Sequence, residues 1–286
     1  MQYVTQCSKL DSVSERLVLN ARRTMTEATP KPPMLDPKIT TQLSDIIAAQ
    51  PYPLAFATLS GSHIYGFPSS DSDYDLRGVH LLPIEIIVGL NPGKETIETS
   101  RNFPILELDL VTHELKKFMG LMLKKNGYVL EQLLSPIVLR STQIHEELCA
   151  IAPTCITRYH SHHYLGFAQT EWRLFIKQNP LRVKPLLYVY RVLLTGIHLM
   201  QTGEIEPNLV KLNQKFRLAG VDNLIDIKIA GAEKSEAGTI DLEFHTQAVT
   251  RLLTELEMER DRSHLPTYST AEPALNNLLV RTRLNS

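Results

Sequence analysis

Paired aspartates follow a glycine–serine pair and mark the stretch of sequence with the clearest potential for chemistry. Ten residues separate Gly61-Ser62 from the sequence Asp73-x-Asp75. Side chains alternate between the two faces of a β-strand, so these aspartates point the same way and lie about 7 Å apart. Two carboxylates on one face repel each other unless a cation joins them. Mg²⁺ is commonly held by one or two carboxylates plus substrate phosphates, so the spacing indicates metal-dependent phosphate chemistry.

The Gly61-Ser62 pair supplies the other half of such a site. It follows an apolar run, where a glycine permits close backbone approach and N–H groups can cradle phosphate oxygens. Two divalent ions can clamp the attacking and leaving oxygens of an in-line displacement. A lone glycine–serine pair carries no information and a lone DxD is weak. The ordered combination after a predicted strand is fairly specific, and it predicts a site where Mg²⁺ or Mn²⁺ meets a phosphate group.

A third acidic strand follows the two aspartates. Residues 105–111 alternate cleanly, with leucines on one face and Glu107 and Asp109 on the other. Either of these acids could be a third metal ligand. The rival interpretation of the whole stretch is a surface turn in which Asp71 and Asp73 make Asx-turns. That alternative explains neither the flanking strands nor the third acidic strand.

Further candidates lie beside and beyond this motif. Arg77 shares the face of Asp75 and could contact a phosphate or form an ion pair with the aspartates. Lys184, Tyr188 and Arg191 follow helical spacing and form one stripe. They could grip a triphosphate and stack on its base, or form a half-exposed stripe whose tyrosine packs in the core. Both interpretations stay open for each.

The histidines and cysteines indicate no separate catalytic centre. His160 and His163 are three residues apart, but no acidic or cysteine partner lies nearby in sequence to complete a metal site. The three cysteines form no CxxC pair, so neither a disulfide framework nor a zinc knuckle is predicted. Cys149 and Cys155 lie near a histidine but lack an acid and a nucleophile turn, which argues against thiol catalysis.

Alternation and apolar runs predict the strands that must position these residues. We expect strands at 54–59, at 74–82 and at 105–111, with the turn-rich sequence GFPSSDS at 66–72 between the first two. After residue 114 the apolar period changes to that of amphipathic helices. The predicted helices cover 39–49, 114–125, 128–134, 143–151, 159–178, 184–202, 207–219, 241–260 and 273–284.

The ends of the chain are harder to interpret. A helix is predicted from about 12 to 26, followed by a proline-rich linker. The N-terminus has no apolar signal region, and no stretch of about 18 apolar residues occurs, so we expect a cytoplasmic protein without membrane association. Three predicted units follow: a peripheral segment 1–38, a catalytic unit 39–140 and a helical unit 141–286.

Charge is distributed unevenly along a chain of 286 residues whose formal net charge is −1. Residues 158–217 contain nine Lys/Arg against three Glu, net +6, which leaves −7 for the remainder. The small total gives the whole molecule no general attraction for nucleic acid. The basic segment suits an enzyme that holds metal on one side and phosphates on the other. A solvated helical face would explain it equally well.

The run GSHIYG…DSDYDLRGV resembles the DNA polymerase β superfamily of nucleotidyltransferases. It is most similar to a bacterial and phage group that includes RNA-ligase-associated members. In that family Asp73 and Asp75 match the DxD aspartates, Gly61-Ser62 match the phosphate-binding pair, and Asp109 matches the third carboxylate. The resemblance covers roughly 54–205 and leaves about 50 residues at the N-terminus and 80 at the C-terminus without a counterpart.

The resemblance implies an α+β fold, with a small mixed-sheet nucleotidyltransferase domain followed by a mostly helical domain. NTP would bind between them, with Arg77, Lys184, Tyr188 and Arg191 at the nucleotide and Asp73, Asp75 and Asp109 at the metal. Attack by an acceptor hydroxyl would release pyrophosphate. An RNA 3′ end is the first choice of acceptor and a protein hydroxyl (AMPylation) the second. A non-catalytic nucleotide-binding or scaffold protein is the third hypothesis, and the oligomeric state stays open.

Overall fold

The computed structural model describes residues 35–231 and 240–285 of the chain. The helix predicted at 12–26, the linker after it and most of the predicted loop at 231–238 lie outside the described residues. Within them, a mixed β-sheet comes first and a mostly helical region follows. The predicted α+β class is confirmed.

The sheet has five strands among the described residues, in the order β3-β4-β2-β1-β5. Its central pair, β2 and β4, is parallel, and the other neighbours are antiparallel. The strands are β1 (Leu54–Leu59), β2 (Tyr74–His80), β3 (Thr96–Asn102), β4 (Glu107–Glu114) and β5 (Val138–Arg140). The parallel pairing places the N-terminal ends of β2 and β4 side by side, which is where the predicted carboxylates lie.

Burial explains why these segments are strands. Every residue of β1 is buried, as the apolar run predicted for a strand covered on both faces. In β4 the leucines at 108 and 110 point into the core, while Glu107 is exposed and Asp109 is half-buried. The alternation predicted there is confirmed, although the strand begins two residues later than expected and extends to Glu114. Strands β3 and β5 were not predicted.

Helices cover the sheet and link it to the second region. They are α1 (Pro37–Ala48), α2 (Ser62–Tyr65), α3 (Ile84–Val88), α4 (Leu115–Leu123), α5 (Gly127–Leu133) and α6 (Gln143–Cys155). The short helices α2 and α3 were not predicted. Helix α6 is fastened to the sheet, because the Thr142 hydroxyl that precedes it donates to the Ala55 carbonyl at 2.6 Å.

The second region is built around one central helix. It contains a short 3-10 helix (Arg158–His160), α7 (Ser161–Phe175), α8 (Val183–Thr202), α9 (Leu209–Phe216), α10 (Val221–Ala230), α11 (Leu242–Arg262) and α12 (Glu272–Leu284). Helix α8 packs against α7, α9, α10 and α11, and it is buried on almost all sides. Helix α9 ends before the predicted 219, because Arg217 adopts the left-handed conformation that closes it.

The last helix returns to the sheet region. Helix α12 packs against α6 and α4. Arg283 forms an ion pair with the Glu114 carboxylate and donates to the Leu82 carbonyl at 3.3 Å. The predicted division at residue 140 stays a prediction, since elements of the later sequence complete the packing around the earlier one. None of the described helices is long and apolar enough to cross a membrane.

Candidate active site

Position 61 requires a glycine for two reasons: its backbone has a positive φ, and a larger side chain would collide with Asp75. Gly61 follows β1 with a φ of +66°, a backbone conformation that L side chains rarely adopt. A Cβ at this position would lie 1.9 Å from Asp75 Oδ2. The turn is held against β2 because the Ser60 N–H donates to the Asp75 carbonyl at 2.8 Å. Gly61 therefore lets the chain pass directly over the Asp75 carboxylate.

Ser62 places a hydroxyl next to this turn. It is the first residue of α2 and is only 2% exposed. Its Oγ has no hydrogen-bond partner among the described residues. A buried hydroxyl without a partner is costly in a folded protein, so it indicates a group that is satisfied when a ligand is present. The phosphate-binding role of Gly61-Ser62 stays a prediction.

Asp73 and Asp75 flank a tyrosine that a histidine holds in place. The His63 ring stacks on Tyr74 with a centroid separation of 4.4 Å, and His63 Nε2 donates to the Asp73 carbonyl at 3.1 Å. Burial lowers the pKa of His63, which favours the neutral ring beside the acidic motif. Sequence reasoning missed His63. Its position directly after Ser62 was the only available signal.

Asp75 and Asp109 lie opposite each other on the parallel strands β2 and β4. The pKa of Asp75 is raised to about 6, mainly by burial and also by the nearby carboxylates of Asp73 and Asp109, while Arg77 lowers it. Asp109 Oδ1 also accepts from the Ser100 hydroxyl at 3.1 Å. Asp73 and Asp109 thus lie close enough to Asp75 to affect its carboxyl, but within 35–231 and 240–285 the three aspartates form no group that could hold a metal ion. Their predicted role as a three-carboxylate metal site stays a prediction. Glu107, the rival third carboxylate, is exposed at the start of β4.

Arg77 lies between two of these carboxylates. Its Nη2 is 2.6 Å from Asp75 Oδ1 and 2.8 Å from Asp109 Oδ2. The sequence left open whether Arg77 contacts phosphate or pairs with aspartates, and the structure places it in ion pairs. A phosphate contact by Arg77 stays a prediction.

A cavity of about 340 Å³ opens beside Asp75, between the sheet region and helices α7 and α8. Gly61, Tyr65 and Tyr128 line it on the sheet side, and Phe167 and Tyr188 line it on the helical side. The volume lies within the range of small-molecule sites. Its aromatic walls suit a flat ring, and its position joins the carboxylates to the helical stripe predicted to bind nucleotide.

That stripe lies on α8, and its members have different surroundings. The Tyr188 ring packs edge-on against Tyr65 and Phe67, with centroid distances of 5.6 and 6.0 Å. Lys184 Nζ lies 5.8 Å from the Tyr188 ring centroid and is close enough to Asp75 to lower the pKa of that carboxyl. Tyr188 and Lys184 therefore face the site.

Arg191 is more deeply placed than the rest of the stripe. It is 3% exposed, its Nη1 donates to Glu131 Oε2 at 2.8 Å, and its guanidinium lies 4.0 Å from the Tyr65 ring centroid. Because Glu131 balances its charge, Arg191 resembles a structural cation more than a free triphosphate ligand. The predicted role of Arg191 in nucleotide binding stays a prediction.

The loop between the two halves of the motif is fixed from the second region. Lys228 on α10 is 1% exposed, and its Nζ donates to the Ser69 hydroxyl at 2.5 Å. Ser69 Oγ donates to Asp71 at 2.9 Å, and the Ser69 N–H donates to Ser72 Oγ at 3.0 Å. Lys228 thus holds the loop that leads into Asp73. Sequence reasoning missed it, because the helix that carries it was not predicted.

The first histidine of the histidine-rich sequence 160–163, His160, has a structural role. His160 is fully buried, and its Nδ1 accepts from the Thr157 N–H at 3.1 Å, which caps the short 3-10 helix. His163 lines the cavity near Arg191. Neither belongs to a group of three metal-ligating residues within 35–231 and 240–285.

His160→Asn is expected to reduce the acid sensitivity of the fold. Burial lowers the pKa of His160 from 6.5 to about 4. Between these values the unfolded chain binds a proton at this position and the folded chain does not, so the free energy of unfolding falls as the pH falls through this window. Thermal unfolding of both proteins at about pH 7.5 and pH 5 measures the difference.

The control for this measurement is the exposed neighbour His162. His162→Asn should keep the wild-type loss of Tm between the two pH values, whereas His160→Asn should lose less. An equal loss in all three proteins would contradict the assignment of the buried neutral ring.

Comparison with known proteins identifies related chains. Residues 35–281 match the model of a family described as the RNA repair pathway DNA polymerase beta family. An uncharacterised protein of Methanocaldococcus jannaschii is 36% identical over 153 residues, which cover 54% of this chain and 63% of that protein. The chain therefore matches less than two thirds of that relative's length.

Two further matches extend over more of the chain. The uncharacterised protein YcgL of Bacillus subtilis is 26% identical over 235 residues, which cover 80% of this chain and 89% of YcgL. Among solved structures, a nucleotidyltransferase-like protein from Exiguobacterium sibiricum 255-15 aligns with 87% of this chain and 80% of its own. That alignment has 12% sequence identity and a TM-score of 0.31.

Proposed function

Because the chain belongs to the RNA repair pathway DNA polymerase beta family, a family of pol β-like nucleotidyltransferases, we propose that it transfers a nucleoside monophosphate from NTP to an acceptor hydroxyl. The observation that carries the proposal is the close approach of the Gly61 turn to the Asp75 carboxylate, because both residues line one cavity and Asp73 lies near enough to raise the pKa of Asp75. Pyrophosphate is the second product. The reaction then depends mainly on positioning and charge neutralisation, as in phosphoryl transfer generally.

The donor set supports a divalent ion at part of this site. Asp73 and Asp75 offer hard carboxylate oxygens, and the Gly61 turn lies directly against Asp75 Oδ2. Mg²⁺ usually takes one or two carboxylates and completes its coordination with substrate phosphates and water. The described residues contain no cluster of three metal-ligating side chains, so the nucleotide would have to supply part of the coordination. Asp73 and Asp75 would hold Mg²⁺ or Mn²⁺, which would neutralise charge on the phosphates.

The chain's own residues supply the remaining interactions. Ser62 donates its hydroxyl to a phosphate oxygen, and Gly61 lets the backbone approach that oxygen. Lys184 adds positive charge on the helical side of the cavity, and Tyr188 offers an aromatic face to the base. Asp109 belongs to the same acidic site through Arg77.

An RNA 3′ end is our first choice of acceptor. The family description refers to RNA repair, and the basic segment 158–217 includes α7 and α8, which line the cavity. A protein hydroxyl is the alternative within the same chemistry. A non-catalytic nucleotide-binding or scaffold protein would need no carboxylate next to its phosphate-binding turn, and the position of Asp75 against Gly61 argues against it.

The direct test is incubation of the protein with each α-³²P-labelled NTP, Mg²⁺ or Mn²⁺, and either total RNA or cell lysate. We expect label to enter RNA and to disappear when EDTA is added. Label on a polypeptide would favour the alternative acceptor. Binding of NTP without transfer to any acceptor would overturn the enzyme proposal.

RNA binding should weaken steeply as salt rises if the basic segment holds an RNA backbone. Each neutralised phosphate releases counterion, so about four contacts to a single strand give a slope of log K against log salt near −3. Lys177 and Arg182 are exposed and lie outside the residues that line the cavity. Reversing both charges should flatten the slope by about 1.4 units and leave NTP binding intact. Fluorescence anisotropy at several salt concentrations measures the slope.

Lys116→Glu is the matched control, because Lys116 is an exposed lysine on α4 outside the basic segment. Its slope should equal that of the wild-type protein. If log K of the wild-type protein does not change with log salt, or if RNA does not bind at low salt, RNA is not the acceptor and a protein acceptor is favoured.

A further inference from the structure

Arg77 is a cation that the surrounding structure holds in place. Its guanidinium carries five N–H groups, and five acceptors lie within hydrogen-bond distance of its nitrogens. Nη2 contacts Asp75 Oδ1 and Asp109 Oδ2, as described above. Nη1 donates to the Asp109 carbonyl at 2.6 Å and to the Leu76 carbonyl at 3.1 Å, and Nε donates to the Tyr128 hydroxyl at 3.3 Å.

These contacts oppose any movement of Arg77 out of the acidic site. The residue is 8% exposed, and two of its acceptors are backbone carbonyls that lie on β2 and β4. Moving the side chain would leave those acceptors without their donor in a buried place, which costs more than an exposed contact would. The positive charge between Asp75 and Asp109 is therefore a fixed part of the fold.

The fixed charge divides the carboxylate oxygens into two sets. Asp75 Oδ1 and Asp109 Oδ2 are bound to Arg77, and Asp109 Oδ1 accepts from Ser100. Asp75 Oδ2 instead faces the Gly61 turn. The carboxylate oxygens that lie outside the contacts of Arg77 and Ser100 thus belong to Asp73 and Asp75. A second divalent ion between Asp75 and Asp109 would have to compete with a guanidinium for the same two oxygens.

We infer that Arg77 takes the place of one divalent ion, so that this chain binds a single divalent ion together with its nucleotide. The inference rests on the proposed function, since it concerns the same site. Asp109 is then a positioning residue that holds Arg77 and not a metal ligand, in contrast to the role predicted for it from the sequence. A permanent +1 charge replaces an exchangeable +2 charge at this position.

The test counts bound Mn²⁺ by equilibrium titration, with free Mn²⁺ measured by electron paramagnetic resonance, in the presence of a saturating non-hydrolysable ATP analogue. We expect one ion per chain for the wild-type protein. Arg77→Met should bind a second ion, because Asp75 and Asp109 then face each other without a cation. Two ions in the wild-type protein would overturn the inference and leave the transferase proposal standing. No metal-dependent nucleotide binding would overturn both.

Two further variants keep the test decisive if Arg77→Met does not fold. Arg77→Lys retains the charge and should still bind one ion. Asp109→Asn retains Arg77 and should bind the single ion with an affinity within about twofold of wild type, since Asp109 is not its ligand. If Asp109→Asn instead loses an ion or lowers the affinity more than about tenfold, Asp109 is a metal ligand and the inference is wrong.

Discussion

Asp73→Asn is expected to reduce nucleotidyl transfer at least about a hundredfold while the protein keeps its stability. Charge stabilisation by a bound metal ion is worth several kcal/mol, and each 1.4 kcal/mol is about tenfold in rate. The structure gives the Asp73 side chain no ion pair among the described residues, whereas its carboxylate raises the pKa of Asp75 by repulsion. Removing its charge therefore relieves repulsion in the folded state.

Asp75→Asn should cost as much activity and also lower the melting temperature, because it removes one of the two ion pairs of the buried Arg77. Single-turnover transfer assays and thermal unfolding separate the two variants. Glu107→Gln is the matched control, since Glu107 lies on the same acidic strand and is exposed. It should retain near wild-type turnover. Turnover near wild type in Asp73→Asn or Asp75→Asn would show that the metal site has been assigned to the wrong residues.

Glu131→Gln is expected to lower the free energy of unfolding by about 3–5 kcal/mol, because it leaves the Arg191 charge buried without a partner. The two side chains are 4% and 1% exposed and 2.8 Å apart. Burial raises the pKa of Glu131, whereas the attraction of Arg191 lowers it, so Arg191 offsets part of the cost of burying the carboxylate. Urea unfolding at neutral pH measures the change.

Replacing both Glu131 and Arg191 tests whether Arg191 has a structural role or a nucleotide-binding role. The double variant Glu131→Gln/Arg191→Met should recover much of the lost stability, because it leaves no unpaired charge behind. Lys211→Met is the control, because Lys211 makes an exposed ion pair with Glu206 at 3.2 Å, and it should change stability by less than about 1 kcal/mol. A loss below about 1 kcal/mol in Glu131→Gln would show that the pair is not structural and would favour Arg191 as a nucleotide ligand.

The glycine–serine turn and the two neighbouring aspartates could be predicted because they lie close together in the sequence. Gly61-Ser62, Asp73 and Asp75 fall within 15 residues, and strand alternation fixes the face of each aspartate. The alternation around Asp109 identified a third strand, but its pairing with β2 is a long-range contact that only the fold supplies. For the same reason, the sequence could not decide whether Arg77 contacts phosphate or carboxylate.

The missed elements have weak local signals. Strand β3 lies at the sheet edge and is mostly exposed, so its sequence TIETSRN shows no apolar alternation. Strand β5 is three residues long. Helix α10 carries Lys228 on its buried face, which interrupts the apolar pattern that would have identified it.

Ion pairs between side chains that are far apart in the sequence could not be predicted either. Arg191 and Glu131 are 60 residues apart in the sequence. Taken alone, each is a charged residue that would be expected at a solvent-exposed position. Nothing in either local sequence marks a buried charge. A stripe at helical spacing therefore predicted a shared role for Lys184, Tyr188 and Arg191, whereas the structure gives them different depths.

The bond between Lys228 and Ser69 spans 159 residues, which has a consequence for synthesis on the ribosome. At about 5–20 residues per second, translation needs roughly 8–32 s to pass from the loop at Ser69 to the helix that holds it. During that interval the nascent chain already contains Asp73, Asp75 and the glycine–serine turn, but the loop that joins them lacks its ammonium partner. We therefore expect the loop between Ser62 and Asp73 to acquire its folded geometry only after α10 has left the ribosome.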